Sequence, residues 1–124
     1  MLATLFQVAI GGAIGASLRY LTGVATIRAF GPGFPWGTLV VNILGSVAMG
    51  ALVVILAQKS GTRFAPFLMT GLLGGFTTFS AFSLDTLTLF QRGEAGLAAA
   101  YVAGSVGLSL LGIAAGLSLA RLAY

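Results

Sequence analysis

Strongly polar residues cluster at only three places along this chain. Between those places run four apolar stretches, roughly Leu2 to Gly23, Trp36 to Ala57, Phe64 to Phe90 and Ala95 to Leu119. Each is near or above the length, about 20 residues, that a helix needs to cross the hydrocarbon of a bilayer. The separators carry turn and charge signals: Arg28 with Gly31-Pro32-Gly33, then Gln58 to Arg63, then Gln91-Arg92-Gly93-Glu94. The pattern predicts one all-α transmembrane domain over residues 1–124, with four spanning helices and almost nothing outside the membrane. The first stretch lacks a basic segment before it and is long enough to stay in the bilayer, so a cleaved signal peptide is not expected.

Composition sharpens this picture. Of 124 residues, 58% are hydrophobic and 6% charged, and mean hydropathy is +1.08. Soluble domains carry roughly 25% charged residues, and eight charges cannot furnish a polar surface. A soluble enzyme and a nucleic-acid binder are thereby excluded, and the net charge of +4 comes from isolated residues rather than a basic patch. With no Cys and no His, disulfides, thiol nucleophiles, most zinc sites and imidazole acid–base chemistry are also absent. No nucleophile–base pair is visible, so no enzyme is expected.

Orientation in the membrane normally follows an excess of Lys and Arg on the cytoplasmic side. Lys59, Arg63 and Arg121 fall on one side of a four-span chain, and Arg19, Arg28 and Arg92 on the other. The split is even, so it selects neither orientation. A four-helix chain also has little room for a pore of its own. Both points favour a homodimer with antiparallel subunits, inserted both ways round. Gly11 and Gly15, Gly12 and Ala16, Ser46 and Gly50, Gly71 and Gly75, and Gly112 and Gly116 have the small-xxx-small spacing that lets helix backbones approach in lipid.

Ionisable groups within spans are the usual marks of function in membranes. There are two here, Arg19 and Asp85. Arg19, near a helix end, reads either as an interfacial anchor or as the positive charge of an anion-attracting vestibule. Asp85 reads most simply as paired with an Arg or a helix end. Neutral donors say more. Thr38, Asn42 and Ser46 share one face of the second span, and Tyr101, Ser105 and Ser109 one face of the fourth. These stripes either line a polar path or bond back to their own helices. Asn42 is too polar to stand in hydrocarbon unpartnered.

The third span is anomalous. Gly74-Gly75 followed by Thr77-Thr78 is poor helix-forming sequence, and a mid-membrane break is expected there. Backbone freed at that depth must be satisfied by protein or by a water-filled cavity, and its carbonyls suit a monovalent cation. Phe79 and Phe82 share a face once the helix resumes, and their electropositive ring edges suit a small dehydrated anion. Residues alone thus point to a small-anion path in a dimer, without identifying the ion.

Three segments resemble the Fluc/CrcB fluoride channel family: Gly11-Gly12-Ala13-Ile14-Gly15-Ala16-Ser17-Leu18-Arg19-Tyr20, Gly37-Thr38-Leu39-Val40-Val41-Asn42-Ile43-Leu44-Gly45, and Gly74-Gly75-Phe76-Thr77-Thr78-Phe79-Ser80-Ala81-Phe82. The resemblance covers essentially the whole chain. It implies an antiparallel dual-topology homodimer in the bacterial inner membrane, with two pores that let toxic fluoride leave the cytoplasm passively. It further implies a structural Na⁺ held by the carbonyls of Gly74 and Thr77. Fluoride would meet Phe79, Phe82 and Asn42, with hydroxyls of Thr78, Ser80, Tyr101, Ser105 and Ser109 along the path and Arg19 at the vestibule. Ala81 stands where the family commonly has Thr, so no hydroxyl is expected there. The competing reading is a small multidrug resistance exporter, of similar size and span number. That family depends on a Glu in the first span, and residues 2–23 contain no acid.

Overall fold

The structure is a computed structural model that describes residues 1–58 and 61–124. Lys59, one of the basic residues in the orientation count, lies outside the described residues, as does Ser60. Two long helices come first, α1 (Leu2–Phe30) and α2 (Trp36–Gln58). A 3₁₀ turn (Gly61–Phe64) and a π-helical segment (Pro66–Leu73) lead into the short α3 (Gly74–Phe76). Next come α4 (Phe79–Gln91) and α5 (Ala95–Ala123). Among the described residues, four helical stretches are long and apolar enough to cross a membrane, the third of them Thr62–Gln91. The protein is a multi-pass membrane protein.

The helices outrun the hydropathy signal at two ends. α1 continues past Gly23 to Phe30 because its polar residues need not leave the helix: Thr22 Oγ1 donates to the Leu18 carbonyl and Thr26 Oγ1 to that of Gly23. It stops at Gly31, whose φ of 81° ends the helical course. α5 likewise runs beyond Leu119 to Ala123. The π-helical stretch before α3 is a feature that composition gave no reason to expect. Wider backbone turns of this kind are rare and usually short.

Packing rests on backbone contact more than on side-chain burial. A Cβ on Gly11 would come within 2.5 Å of the Phe67 carbonyl, and one on Gly15 would collide with that of Leu72, so α1 lies directly on the π-helical segment. Gly75 meets α1 in the same way: a Cβ there would lie 2.7 Å from the Gly12 carbonyl. On the other side, Gly50 of α2 faces the Ile113 carbonyl, and Gly116 of α5 faces that of Val47. Apolar burial does not drive helix association in lipid, so these approaches and the dispersion contacts they permit hold the bundle. A small core forms where Phe82, Leu89, Ala98 and Tyr101 meet, with Phe34 and Leu39 packed against it. Leu5, Phe6 and Ile10 of α1 and Leu110, Leu111 and Leu119 of α5 point outward, as lipid or a protein neighbour requires.

The glycine contacts predict a sharp contrast within α1. Gly15→Val should destabilise the protein by about 3 kcal/mol or prevent its folding, the upper range for overpacking. Gly12→Ala, whose Cβ meets nothing within 4 Å, should leave stability unchanged or slightly raised. Thermal unfolding in detergent, with the monodisperse yield, distinguishes the two.

Candidate functional site

α3 ends at Phe76, and the next two residues are extended: Thr77 at φ −87°, ψ 157° and Thr78 at φ −154°, ψ 120°. Glycine pairs and β-branched residues give this stretch little to lose by leaving the helix. Thr77 keeps its link to the preceding turn, donating both its amide (3.0 Å) and its hydroxyl (2.9 Å) to the Leu73 carbonyl. Thr78 restarts the chain as an N-cap, its Oγ1 accepting from the Ala81 amide at 3.2 Å.

The remaining backbone groups are met from other helices. The Thr78 amide donates to Asn42 Oδ1 at 2.8 Å, and Asn42 Nδ2 donates to the Thr78 carbonyl at 3.1 Å. The primary amide thus does what a neighbouring strand would do, offering one acceptor and one donor to one extended residue. Arg19 Nε donates to the Gly75 carbonyl at 3.0 Å. In a continuous helix the Thr78 amide would close a turn onto Gly74, and that of Ala81 onto Thr77. Here those amides go to Asn42 and to the Thr78 hydroxyl. The carbonyls of Gly74 and Thr77 are released together, and Gly74 is exposed on the protein surface. Neutral carbonyl oxygens are hard donors, suited to Na⁺ rather than to a transition metal. Both donors are neutral carbonyls that bring no charge of their own, so on chemical grounds they fit a monovalent cation.

Two hollows flank the interruption. The first is an open groove of about 330 Å³ between α2, α4 and α5, walled by Asn42, Ser46, Thr78, Phe79, Ser105 and Ser109 among others. Phe79 is 78% exposed while Phe82, three residues on, is 9% exposed. Their ring centroids lie 5.5 Å apart at 49°. Several hydroxyls return to their own helix, among them Ser17, Ser83 and Thr88. Ser105 does not: its Oγ is buried beside the groove with no hydrogen-bond partner. A buried hydroxyl left in that state calls for water or a ligand.

The second hollow, about 320 Å³, lies under the α1–α2 loop and takes in Arg19, Thr38, Asp85 and Arg92. Thr78 borders both hollows. The Thr38–Asn42–Ser46 stripe therefore runs from the second hollow into the first. Arg19 faces the second hollow and also supports the Gly75 carbonyl, so it is neither a plain anchor nor a free charge.

Two candidates sit elsewhere than the groove wall. Ser80 is exposed and its Oγ lies 3.3 Å from Thr78 Oγ1. Tyr101 stands behind the wall, wholly buried, its ring 5.3 Å from that of Phe82. Its hydroxyl donates to Asp85 Oδ2 at 3.1 Å. Asp85 thus finds a phenol rather than the Arg or helix end expected for it. Sequence spacing carries no signal for this pair, because the two residues meet only through the packing of α4 on α5. The approach of Phe34 to Tyr101 has no signal in the spacing either, because it joins the α1–α2 loop to α5.

Asn42→Leu should lower stability by about 1–3 kcal/mol, the range for a buried backbone group left unpaired. Ser17→Ala, which removes an exposed bond within α1, should change it little. Chemical or thermal denaturation in detergent checks both.

Comparison with known proteins gives concordant matches. The model of the family described as "CrcB-like protein, Camphor Resistance (CrcB)" matches residues 6–117. A protein of Cereibacter sphaeroides named "Fluoride-specific ion channel FluC" is 66% identical over 121 residues, covering 98% of this chain and 97% of its own. Proteins of the same name from Ruegeria sp. (61% over 122 residues, 98% and 97% covered) and Roseobacter denitrificans (58% over 123 residues, 98% of each) are similarly close.

Proposed function

The chain belongs to the CrcB family, and on that basis we propose that it is a fluoride-selective channel through which the ion leaves the cytoplasm passively. Its close relatives are named as ion channels, and it is not an enzyme. The observation that carries the reading is the groove beside the interrupted helix, where the unpartnered Ser105 hydroxyl, the Asn42 amide and the Phe79–Phe82 pair converge.

The proposed assembly is an antiparallel homodimer, inserted both ways round, with two pores. Each groove is open on the side where a second copy would close it, and the large exposed Phe79 ring would pack there. Around the twofold axis, the Gly74 and Thr77 carbonyls of two copies would hold one Na⁺. When bound, Na⁺ supplies fixed positive charge to carbonyls that no helical amide reaches.

Conduction follows from the chemistry of the walls. Fluoride is small and strongly hydrated, so entry requires donors that replace its water. Neutral donors and ring edges do so without trapping the ion, which tight pairing with a formal charge would. Ser105, Ser109 and Thr78 supply hydroxyls, Phe79 and Phe82 supply ring edges, and Asn42 holds the Thr78 segment in place; Tyr101 acts from behind Phe82, and Ser80 through Thr78. Arg19 draws anions to the mouth. Passive flow suffices for export, because HF crosses the membrane neutral and dissociates inside. Neither the structure nor the relatives' names offers support for a multidrug exporter, whose first-span acid is missing.

Liposomes loaded with potassium fluoride and holding the full chain should empty down the fluoride gradient once a potassium ionophore balances the charge, with no proton or sodium gradient, and chloride-loaded controls should not. Phe79→Ile and Phe82→Ile should each slow fluoride release about tenfold or more, as loss of transition-region stabilisation of about 1.4 kcal/mol would, while eluting like the wild type. Wild-type release from both would remove the rings from the pathway.

Protein prepared throughout in a large organic cation should show a smaller dimer fraction and slower fluoride release than protein prepared in Na⁺. Adding Na⁺ before reconstitution should restore both. Cross-linking and efflux measure the two effects.

A further inference from the structure

A file of aromatic rings runs from the α1–α2 loop to the groove. Phe34 lies 4.8 Å from Trp36 and 5.5 Å from Tyr101, perpendicular to it at 90°. Tyr101 lies 5.3 Å from Phe82, and Phe82 lies 5.5 Å from Phe79. All these separations fall in the range where ring quadrupoles favour tilted and edge-to-face contacts. The last two rings are the pore candidates, and Phe34 belongs to the α1–α2 loop.

Both ends of the link are held. Pro32 and Pro35 restrict the loop, and Gly31 turns into it at φ 81°. Arg92 Nη2, from the end of α4, donates to the Gly33 carbonyl at 3.1 Å, next to Phe34. Tyr101 is wholly buried and is fixed at its hydroxyl by Asp85. A loop ring braced against a fixed ring leaves Phe82 little freedom to change its tilt. Tilt matters because only the ring edge attracts an anion, whereas the face repels it.

We propose that Phe34 is a positioning residue for conduction: acting through Tyr101, it sets the angle at which Phe82 presents its edge to the groove. The proposal rests on Phe82 being a pore wall, as proposed above. Phe34 touches no ion and contributes only the perpendicular contact that an aliphatic side chain of similar size cannot make.

The test is fluoride efflux from liposomes carrying the full chain, in single and double variants, each first shown to elute like the wild type. Phe34→Leu should slow efflux about 3- to 10-fold, the scale of one lost aromatic pair. Phe34→Met, a second apolar replacement, should do the same. Phe34→Tyr, which keeps the ring, should stay within about twofold of wild type. In a Phe82→Ile background, Phe34→Leu should cause no further loss, because the ring it positions is gone. A purely structural role would instead multiply the two losses, and that result overturns the proposal. Wild-type efflux from Phe34→Leu and Phe34→Met, with Phe82→Ile slowed, overturns it while leaving the pore reading intact. Wild-type efflux from Phe82→Ile removes both.

Discussion

One side-chain amide makes the rest of this structure possible. An interrupted helix in a membrane exposes backbone groups that hydrocarbon cannot satisfy, at a cost of several kcal/mol for each. Asn42 meets both groups of Thr78, accepting at 2.8 Å and donating at 3.1 Å. A primary amide offers a donor and an acceptor side by side in one plane, which suits the two backbone groups of a single extended residue. Once Thr78 is held, its hydroxyl caps α4 and Arg19 takes the Gly75 carbonyl in place of an amide. What is left over, the carbonyls of Gly74 and Thr77, is the donor set on which the Na⁺ proposal stands.

Close packing brings Asn42 into range. Gly45, one turn along α2, leaves room for the Thr77 methyl, with which any Cβ at that position would collide. The same helix is held to α5 by Gly50 and Gly116, so the polar face of α2 cannot swing away from the interruption. On the other flank α1 presses its glycines on the π-helical segment and carries Arg19 to Gly75. The glycine spacing and the polar site are therefore one design. Each close approach fixes a helix from which a polar side chain must reach a distance of about 3 Å.

Much of this could be read from the sequence because hydrocarbon imposes strict rules. Four spans follow from runs of apolar residues, and a demand for a partner at Asn42 follows from the cost of a lone amide. The glycine pairs announced close approach but not which helices approach: Gly11 meets Phe67 and Leu72, and no residue pattern joins them. At Gly23 the helix outruns its apolar signal, because hydroxyls that bond within a helix carry polarity without ending it. Tyr101 shares a stripe with Ser105 and Ser109, yet the stripe divides. Its long ring passes behind Phe82 to Asp85, while the short serines stay at the groove. Periodicity gives the face of a residue, and side-chain length decides how far across that face it reaches.

The distribution of charge bears on how a small anion would be selected. Of the two hollows, only the second is lined by formal charge, that of Arg19, Arg92 and Asp85. Arg92 is itself paired with Glu94 at 3.1 Å, so Arg19 is the cation that gives this hollow its positive character. Groups that wall the groove itself are neutral. A field at the mouth raises the local anion concentration over several ångströms, whereas an arginine inside would hold the ion too firmly to release it. Asp85 would oppose anions were it bare, but a phenol proton rests on one of its oxygens and Arg19 and Arg92 share its hollow. One Arg19 donor is committed to Gly75, and its other guanidinium donors remain for the hollow. The same residue thus completes the interrupted backbone and biases the entrance. Substituting it would alter structure and attraction together, so discrimination between ions is better sought in the uncharged groove, where shape and donor spacing act without that coupling.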